Sequence, residues 1–403
     1  MKILALVSAL DLRHRLSSTP AWHQLLKALA LEGVDVIAIP YRGHSIESLY
    51  WRVYDNPCRV EGEAFAGVRE AARLLKRNAR AHVEENENTP GSEAPGSNHE
   101  SVSDKVVRTL AQGHVRRKWS RTLAKVFKSE GTIDAVLVLN LPLNHIHGLA
   151  TEIRETYGTK VWYYDGDLPA SLPGGGGFNT GFRIYEGSDP GEYDGFLSNS
   201  KGSNEALRAL GARRVETVYW AADLELYRPL DREPEHDVFF YGYGEQYREE
   251  WMERMLYGPS EVMRDSRFSL GGLNFGRSRP EINYIGDIPF NGFNEFVCRS
   301  RINLVITRAA HRSVYASSSM RPFELGAMQT AMVSNPWPGI EEWFEPGEEI
   351  LIANSTEEAI VIYEELLRDE PARREMAKRA RRRVEAHHTW AHRARQILGI
   401  LRE

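Results

Sequence analysis

Ile302–Glu349 reads INLVITRAAHRSVYASSSMRPFELGAMQTAMVSNPWPGIEEWFEPGEE, and the fold is decided there. Ile302–Ile306 is a short apolar run bounded by polar residues, which predicts a buried strand. A polar loop follows, and Pro322 reads as the first residue of a helix. Ala331–Ser334 is the next strand. Strand, loop, helix and strand in that order belong to a parallel sheet covered by helices on both faces. The helix start offers free N–H groups and a positive dipole end, which suit an anion such as a diphosphate. Arg308 and Arg312 add paired donors for phosphate oxygens. His311, Ser317, Ser318, Ser319, Met320 and Arg321 complete the candidate anion-binding loop. Glu324, an acceptor-only group in the first turn, is placed to take hydrogen bonds from vicinal ribose hydroxyls. It fits equally as a helix-dipole carboxylate with the serines as caps, and spacing alone leaves both readings open.

The same alternation extends outward from this stretch. Upstream, Asp237–Tyr241, Phe268–Leu270 and Tyr284–Gly286 are strands, and downstream Glu349–Ala353 is another. Ser355 and Glu358 then form a capping box at the next helix. The first half repeats the pattern with strands at Lys2–Ser8, Val34–Pro40, Ala135–Leu139, Lys160–Tyr164 and Gly195–Ser198. Between the first two, Thr19 caps a helix with Pro20 at its first position, and Trp22, Leu25, Leu26 and Leu29 share one face. The fold class is therefore α/β, with two Rossmann-like domains facing a ligand cleft. Residues 1–232 form the first domain, the polar, proline-bearing stretch Tyr227–His236 carries the boundary, and residues 233–385 form the second. Glu84–Asp104 (EENENTPGSEAPGSNHESVSD) cannot bury enough apolar surface to offset its ordering entropy and reads as a disordered loop inside the first domain.

Composition narrows the function classes. The 403 residues are 42% hydrophobic and 27% charged, an ordinary globular balance. A net charge of −5 gives no global pull toward nucleic acid. Two cysteines, Cys58 and Cys298, make neither a disulfide framework nor a thiolate metal site. No apolar run is long enough to span a bilayer. The opening KILALVSAL mimics a short leader, but it is followed at once by Asp11-Leu-Arg-His-Arg15 and reads as a first strand. A cytoplasmic protein is expected. Val106–Lys128 is a basic amphipathic segment, which docks either on anionic lipid, such as a membrane inner face, or on an anionic acceptor or, in the plainer reading, on the protein's own core with a solvated basic side.

Several motifs in the second half resemble one family of enzymes. Arg321-Pro-Phe-Glu324 follows a serine-rich loop, and Pro338-Gly-Ile-Glu-Glu-Trp-Phe-Glu-Pro-Gly-Glu348 comes next. The chain then ends near His388-Thr-Trp-Ala-His-Arg393, and Gly211–Val215 through Tyr227-Arg-Pro229 precedes the second domain. Their order and spacing are similar to those of the GT-B glycosyltransferases of the family one/four type, and within them the CgeB-like, spore-maturation branch. The resemblance covers about Asp194–Glu403. It implies an acceptor-holding first domain, a second domain that binds a nucleotide-diphospho-sugar, and a last helix, within 386–403, that packs back on the first domain.

The resemblance also implies roles for individual residues. The donor would meet the loop with Gly242, Tyr243, Gly244 and Arg248, where the glycines allow close approach, and the loop with Gly286, Asp287 and Ile288, near the nucleobase. Asp165 and Asp167, at a strand end where related enzymes carry a functional His or Asp, become the candidates for acceptor activation. An Asp-x-Asp also invites a metal, but arginines and a helix dipole usually neutralise the diphosphate in this architecture, so neither a metal nor a cofactor is expected. His145 and His147 follow another strand end and are acceptor-side candidates or structural residues, without a third ligand for zinc. The glycine run in Leu172–Gly177 reads as a lid or a long turn. Two departures from the family pattern stand out. Ala316 occupies the place of a glutamate that lies near the sugar, and Gln329 that of a glycine. The expected reaction is transfer of a sugar to a glycan, a lipid-linked or a small-molecule acceptor, with a lean towards retention of configuration. A nucleotide-sugar 2-epimerase and a non-catalytic sugar-nucleotide-binding scaffold are the alternatives.

Overall fold

The computed structural model describes residues 1–13, 19–60, 102–173, 184–244, 248–275 and 279–403. Most of the predicted loop at 84–104 and the glycine run lie outside them; only Val102–Asp104 is described, as the start of the helix Val102–Glu130.

The first sheet has seven strands: β1 (Lys2–Ala9), β2 (Asp35–Arg42), β3 (Arg52–Val53), β4 (Ala135–Leu139), β5 (Lys160–Asp165), β6 (Gly195–Ser198) and β7 (Val215–Thr217), in the order β3-β2-β1-β4-β5-β6-β7. The second has six: β8 (His236–Tyr243), β9 (Phe268–Leu273), β10 (Ile282–Gly286), β11 (Ser300–Val305), β12 (Ala331–Ser334) and β13 (Leu351–Ile352), in the order β10-β9-β8-β11-β12-β13. β1 pairs in parallel with β2 and β4, and β8 lies between β9 and β11 in the same sense. Both sheets are doubly wound. Each grows outward from its first strand and then restarts on that strand's other side, so the direction reverses between β1 and β4 and again between β8 and β11. At such a reversal the loops leaving the strands' carboxyl ends part and open a crevice.

The strands formed where the apolar runs predicted them because both faces are covered. Ile3 to Val7 and Val136, Leu137 and Leu139 have essentially no exposed surface. β3 and β7, two and three residues long, carry too little pattern to be read from sequence. The helix Thr19–Leu31, described from Thr19 onward, buries Trp22, Leu25, Leu26 and Leu29, as their spacing requires. In the helix Val102–Glu130, Val115, Trp119, Leu123, Val126 and Phe127 are buried while Arg117, Arg121, Lys125 and Lys128 are exposed. From Val115 to Phe127 the apolar face is used by the protein's own core. Among the described residues no helix is long and apolar enough to cross a membrane.

By its contacts the chain forms two compact units, one built mainly on Met1–Asp165 and one mainly on Val215–Glu403 together with Leu197–Arg208. The helix Trp390–Arg402 is capped by Thr389, whose hydroxyl accepts from the His392 N–H. Trp390 meets Trp220 edge-on at 5.9 Å, and Arg393 donates to the carbonyl of Tyr219. Those partners fall within the span predicted for the first domain, yet they cluster with the second unit. Ser355 caps the helix Thr356–Arg368 as predicted, through the Glu358 N–H; Glu358 reaches back to Asn354 rather than to Ser355.

Candidate functional site

In the second unit the loops that follow β8 and β11 flank the strand reversal. β8 ends in Gly242-Tyr243, and Arg248 opens the next helical segment. Arg248 spans the reversal: Nε donates to the Ile306 carbonyl and Nη1 to that of Tyr243, both at 2.9 Å. Two carbonyls accept hydrogen bonds but do not neutralise charge. Burial, with Arg308 and Arg321 nearby, pushes the Arg248 guanidinium down to about 9, still protonated at neutral pH. Three arginines thus lie within electrostatic reach of one another, Arg308 and Arg321 being paired with Asp167 and Glu324.

Arg308 caps the short helix Ala309–Arg312 just beyond β11. Its Nη2 donates to Asp167 Oδ1 at 2.6 Å and faces His311 Nε2 at 3.2 Å. A guanidinium has no acceptor, so His311 Nε2 must accept, and the neutral ring carries its proton on Nδ1. Burial and the charges of Arg308 and Arg248 hold His311 well below the usual imidazole range. His311 Nδ1 and Thr307 Oγ1 are buried without a hydrogen-bond partner among the described residues.

The helix predicted from Pro322 begins two residues earlier, at Met320, with Ser319 as its cap accepting from the Arg321 N–H. Pro322 still lies in the first turn, where its missing N–H costs nothing. Glu324 is 6% exposed; one oxygen accepts from the Tyr227 hydroxyl and the other from Arg321 Nη1, both at 2.9 Å. Each oxygen keeps a second lone-pair direction. The Arg321 guanidinium lies over the rings of Phe293, at 4.2 Å, and Tyr241, at 5.3 Å. Asp287 is exposed, Ile288 is buried beside Gly271, and Gly286 has φ +80, a conformation that favours glycine.

Several of the candidate residues have partners within the protein. The Ser317 hydroxyl, fully buried, donates to the Leu168 carbonyl, and Ser318 donates to Asn199 O and accepts from the Trp220 N–H. Neither is left for a ligand; they fasten the loop. Gly244 is required by packing whether or not it also meets a ligand, since a Cβ there would lie 2.0 Å from the Asn274 carbonyl oxygen. Arg312 turns toward the segment after β8, with its guanidinium 5.4 Å from the Trp251 ring and 3.9 Å from Glu250. Asp165 has no exposed surface and accepts from the Tyr185 hydroxyl at 2.6 Å, so of the two aspartates only Asp167, with its side chain 31% exposed, presents a carboxylate to solvent.

In the first unit, His145 lies in the loop after β4 with its Nδ1 against the Tyr41 hydroxyl. His147 is exposed, 3.7 Å from Glu192, whose carboxyl burial pushes up to about 7. Among the described residues no three carboxylate, imidazole or thiol groups converge as a metal site.

Sequence reading missed Tyr227 as the partner of Glu324, and Tyr241 and Phe293 as the seat of Arg321. Tyr227 and Tyr241 stand in stretches already singled out, but nothing in spacing shows that a ring lies under a guanidinium. Ala316 has φ +47 and no exposed surface; its N–H donates to Pro338 O and its carbonyl accepts from the Lys201 N–H. The place where the family pattern has a glutamate is thus packed shut, with the Gly339 backbone against it.

Residues 225–399 match the family model described as glycosyl transferase-like. The whole chain superposes on solved structures at low identity. Sucrose-phosphate synthase from Thermosynechococcus elongatus matches with a TM-score of 0.64 at 13% identity, over 100% of this chain and 98% of that one. HepE from Anabaena, solved in complex with UDP and glucose, matches at 0.61 and 11%, over 100% of both chains. The T4 phage β-glucosyltransferase matches at 0.55 and 14%, over 100% of this chain and 99% of that one. No protein of curated function matches at the level of sequence.

Proposed function

We propose that this chain of the GT-B fold is a glycosyltransferase that takes a UDP-sugar as donor, with the diphosphate held in the second unit by Arg248, Arg308 and Arg321. The observation that supports the reading is the meeting of Arg248, Arg308 and Arg321 beside the strand reversal, close enough that the other two disfavour the charge on Arg248. Solved neighbours of the same fold, HepE and the phage β-glucosyltransferase, were obtained with UDP or UDP-glucose, which favours uridine among the bases.

In this reading the N–H groups at the start of the helix Met320–Ala327 meet a phosphate, and the second lone pairs of Glu324 receive the ribose hydroxyls. The uracil lies by Gly286–Ile288. With Ala316 closed off, the sugar is held by backbone amides of the 309–319 loop. The acceptor hydroxyl oxygen bonds to the anomeric carbon as the bond from that carbon to the diphosphate oxygen breaks. The electron pair leaves on the diphosphate, and the hydroxyl proton passes to Asp167. Fixed cations lower the energy of the departing dianion because they need no reorganisation as charge develops, so the proposal requires no metal. The acceptor is a glycan, a lipid-linked sugar or a small molecule, with His145 and His147 on its side. The Arg-Pro-Phe-Glu helix start and the His-Thr-Trp ending support placement in the CgeB-like branch, and the exposed basic face of Val102–Glu130 supports peripheral contact with an anionic membrane inner face.

A thermal-shift panel of UDP, GDP, ADP, dTDP and CDP tests the reading, with Glu324→Ala beside the wild type. A ligand at about 100 times its Kd adds about 2.7 kcal/mol of stability. UDP should raise the wild-type Tm by several degrees and the variant's far less. If no nucleotide raises the wild-type Tm, the donor assignment fails.

A further inference from the structure

Arg308 and Asp167 stand 141 positions apart in sequence, yet they form one of the shortest ion pairs at the site, Nη2 to Oδ1 at 2.6 Å. The pairing is built rather than incidental. The residue after Asp167 is clamped on both sides: the Leu168 N–H donates to Asn199 Oδ1 at 3.2 Å, and its carbonyl accepts from the buried Ser317 hydroxyl at 2.8 Å. Asn199 also donates to the Ser318 carbonyl, so one loop positions Arg308 from its own side and Asp167 through Leu168. The second hydrogen of the same Nη2 goes to His311 Nε2, at 3.2 Å. Arg308 is thus held between a neutral ring that cannot leave, being 2% exposed, and a carboxylate that can, being partly exposed.

We propose that the Asp167 carboxylate occupies on Arg308 the position of a donor phosphate oxygen, and that the diphosphate displaces it. This rests on the sugar-nucleotide reading above. Nη2 has two hydrogens, one given to Asp167 and the other to His311, so an oxyanion that takes a hydrogen bond from Nη2 must replace Asp167. Arg248 and Arg321 add positive charge at the same place, and a diphosphate, carrying more charge than one carboxylate, gains more from it. The exchange releases Asp167 from Arg308 only when a donor is seated, so that the proton acceptor becomes available together with the sugar it serves. His311 is the positioning residue: it keeps the guanidinium in place as its partner changes.

The test is a double-mutant cycle read by titration calorimetry with UDP at constant ionic strength, on wild type, Asp167→Asn, Arg308→Ala and the double variant, with uridine as the control ligand. Exchange predicts that Asp167→Asn tightens UDP at least fivefold, leaves uridine unchanged, and changes UDP affinity less than twofold once Arg308 is absent. Asp167→Ser should give the same gain, which guards against an effect peculiar to asparagine. An equal gain with and without Arg308 would mean that Asp167 acts as a general negative charge, and the proposal would be wrong. A Kd within twofold of wild type in Asp167→Asn would overturn it as well. If UDP fails to bind the wild type, the sugar-nucleotide reading itself falls and takes the exchange with it. UDP binding without coupling would sink the exchange alone.

Discussion

Replacing Arg248 by methionine separates what this residue does for the fold from what it does for the ligand. Its two hydrogen bonds, to the carbonyls of Ile306 and Tyr243, tie the end of β11 to the loop after β8. Charged donors to carbonyls contribute about 1.5–3 kcal/mol each, and both would be lost. Against that, methionine removes a cation that burial and two neighbouring arginines disfavour, a desolvation cost of similar size and opposite sign. Methionine also retains much of the side chain's apolar stem, so the net change in stability should stay within about 2 kcal/mol. Binding has no such compensation. A unit charge about 5 Å from one phosphate charge, at an effective dielectric of about 20, is worth about 3 kcal/mol, or roughly a hundredfold in Kd. The assays are urea unfolding for stability and calorimetric titration of UDP and uridine for affinity. The expected outcome is a modest shift in the urea midpoint, a UDP Kd weakened between about 30- and 300-fold, and uridine little changed. A UDP affinity within threefold of wild type, in a variant that unfolds normally, would refute the electrostatic argument. So would an equal loss for uridine.

Other expectations concern the frame around the site. Gly244→Ala drives a Cβ to 2.0 Å from Asn274 O and 2.8 Å from Phe275 Cα, both backbone atoms, and should cost about 3 kcal/mol or more in chemical denaturation. Gln329 has φ +57 just past the helix Met320–Ala327, and Thr330 N donates back to Leu325 O; Gln329→Gly should therefore raise stability by about 0.5–1 kcal/mol, seen as a higher urea midpoint. His388, buried and accepting from Arg393, is pushed down to about 3. The unfolded chain takes up this proton below about pH 6.5 and the folded one does not until about 3, so stability is lost as pH falls through that window, by up to about 1.4 kcal/mol per unit. His388→Asn should flatten that slope in urea unfolding measured from pH 7 to 4, even though it lowers stability at neutral pH; an unchanged slope would contradict the assignment.

The fold was legible because fully buried strands announce themselves. Ala135–Leu139, Gly195–Ser198 and Ala331–Ser334 are observed with the bounds their apolar runs predict, and Ser355 caps where its spacing with Glu358 requires. The site was legible only in part. Arginines and a helix start show in sequence; their partners do not. That Arg308 would meet Asp167, or Glu324 meet Tyr227, depends on how segments 141 and 97 positions apart are brought together. The serines misled for a physical reason. A hydroxyl in a polar loop reads as a ligand contact, and only the buried carbonyls of Leu168 and Asn199 show that Ser317 and Ser318 are already engaged. Gly244 is no easier to read, because a glycine that admits a ligand and one that admits a neighbouring backbone are the same letter. The ending His388–Arg393 was read as a family feature and has a structural explanation: Thr389 caps the last helix, while Arg393 joins His388 to the carbonyls of Tyr219 and Trp220.

The central claim is that the arginines at the ends of β8 and β11 receive a nucleoside diphosphate. Titration calorimetry of UDP, UMP and uridine into the wild-type chain at two salt concentrations tests it most directly. The account predicts that UDP binds at least a hundredfold more tightly than uridine, that UMP falls between them, and that the gap narrows at high salt as charges are screened. Equal affinities for all three ligands, or no binding by UDP at low salt, would contradict it.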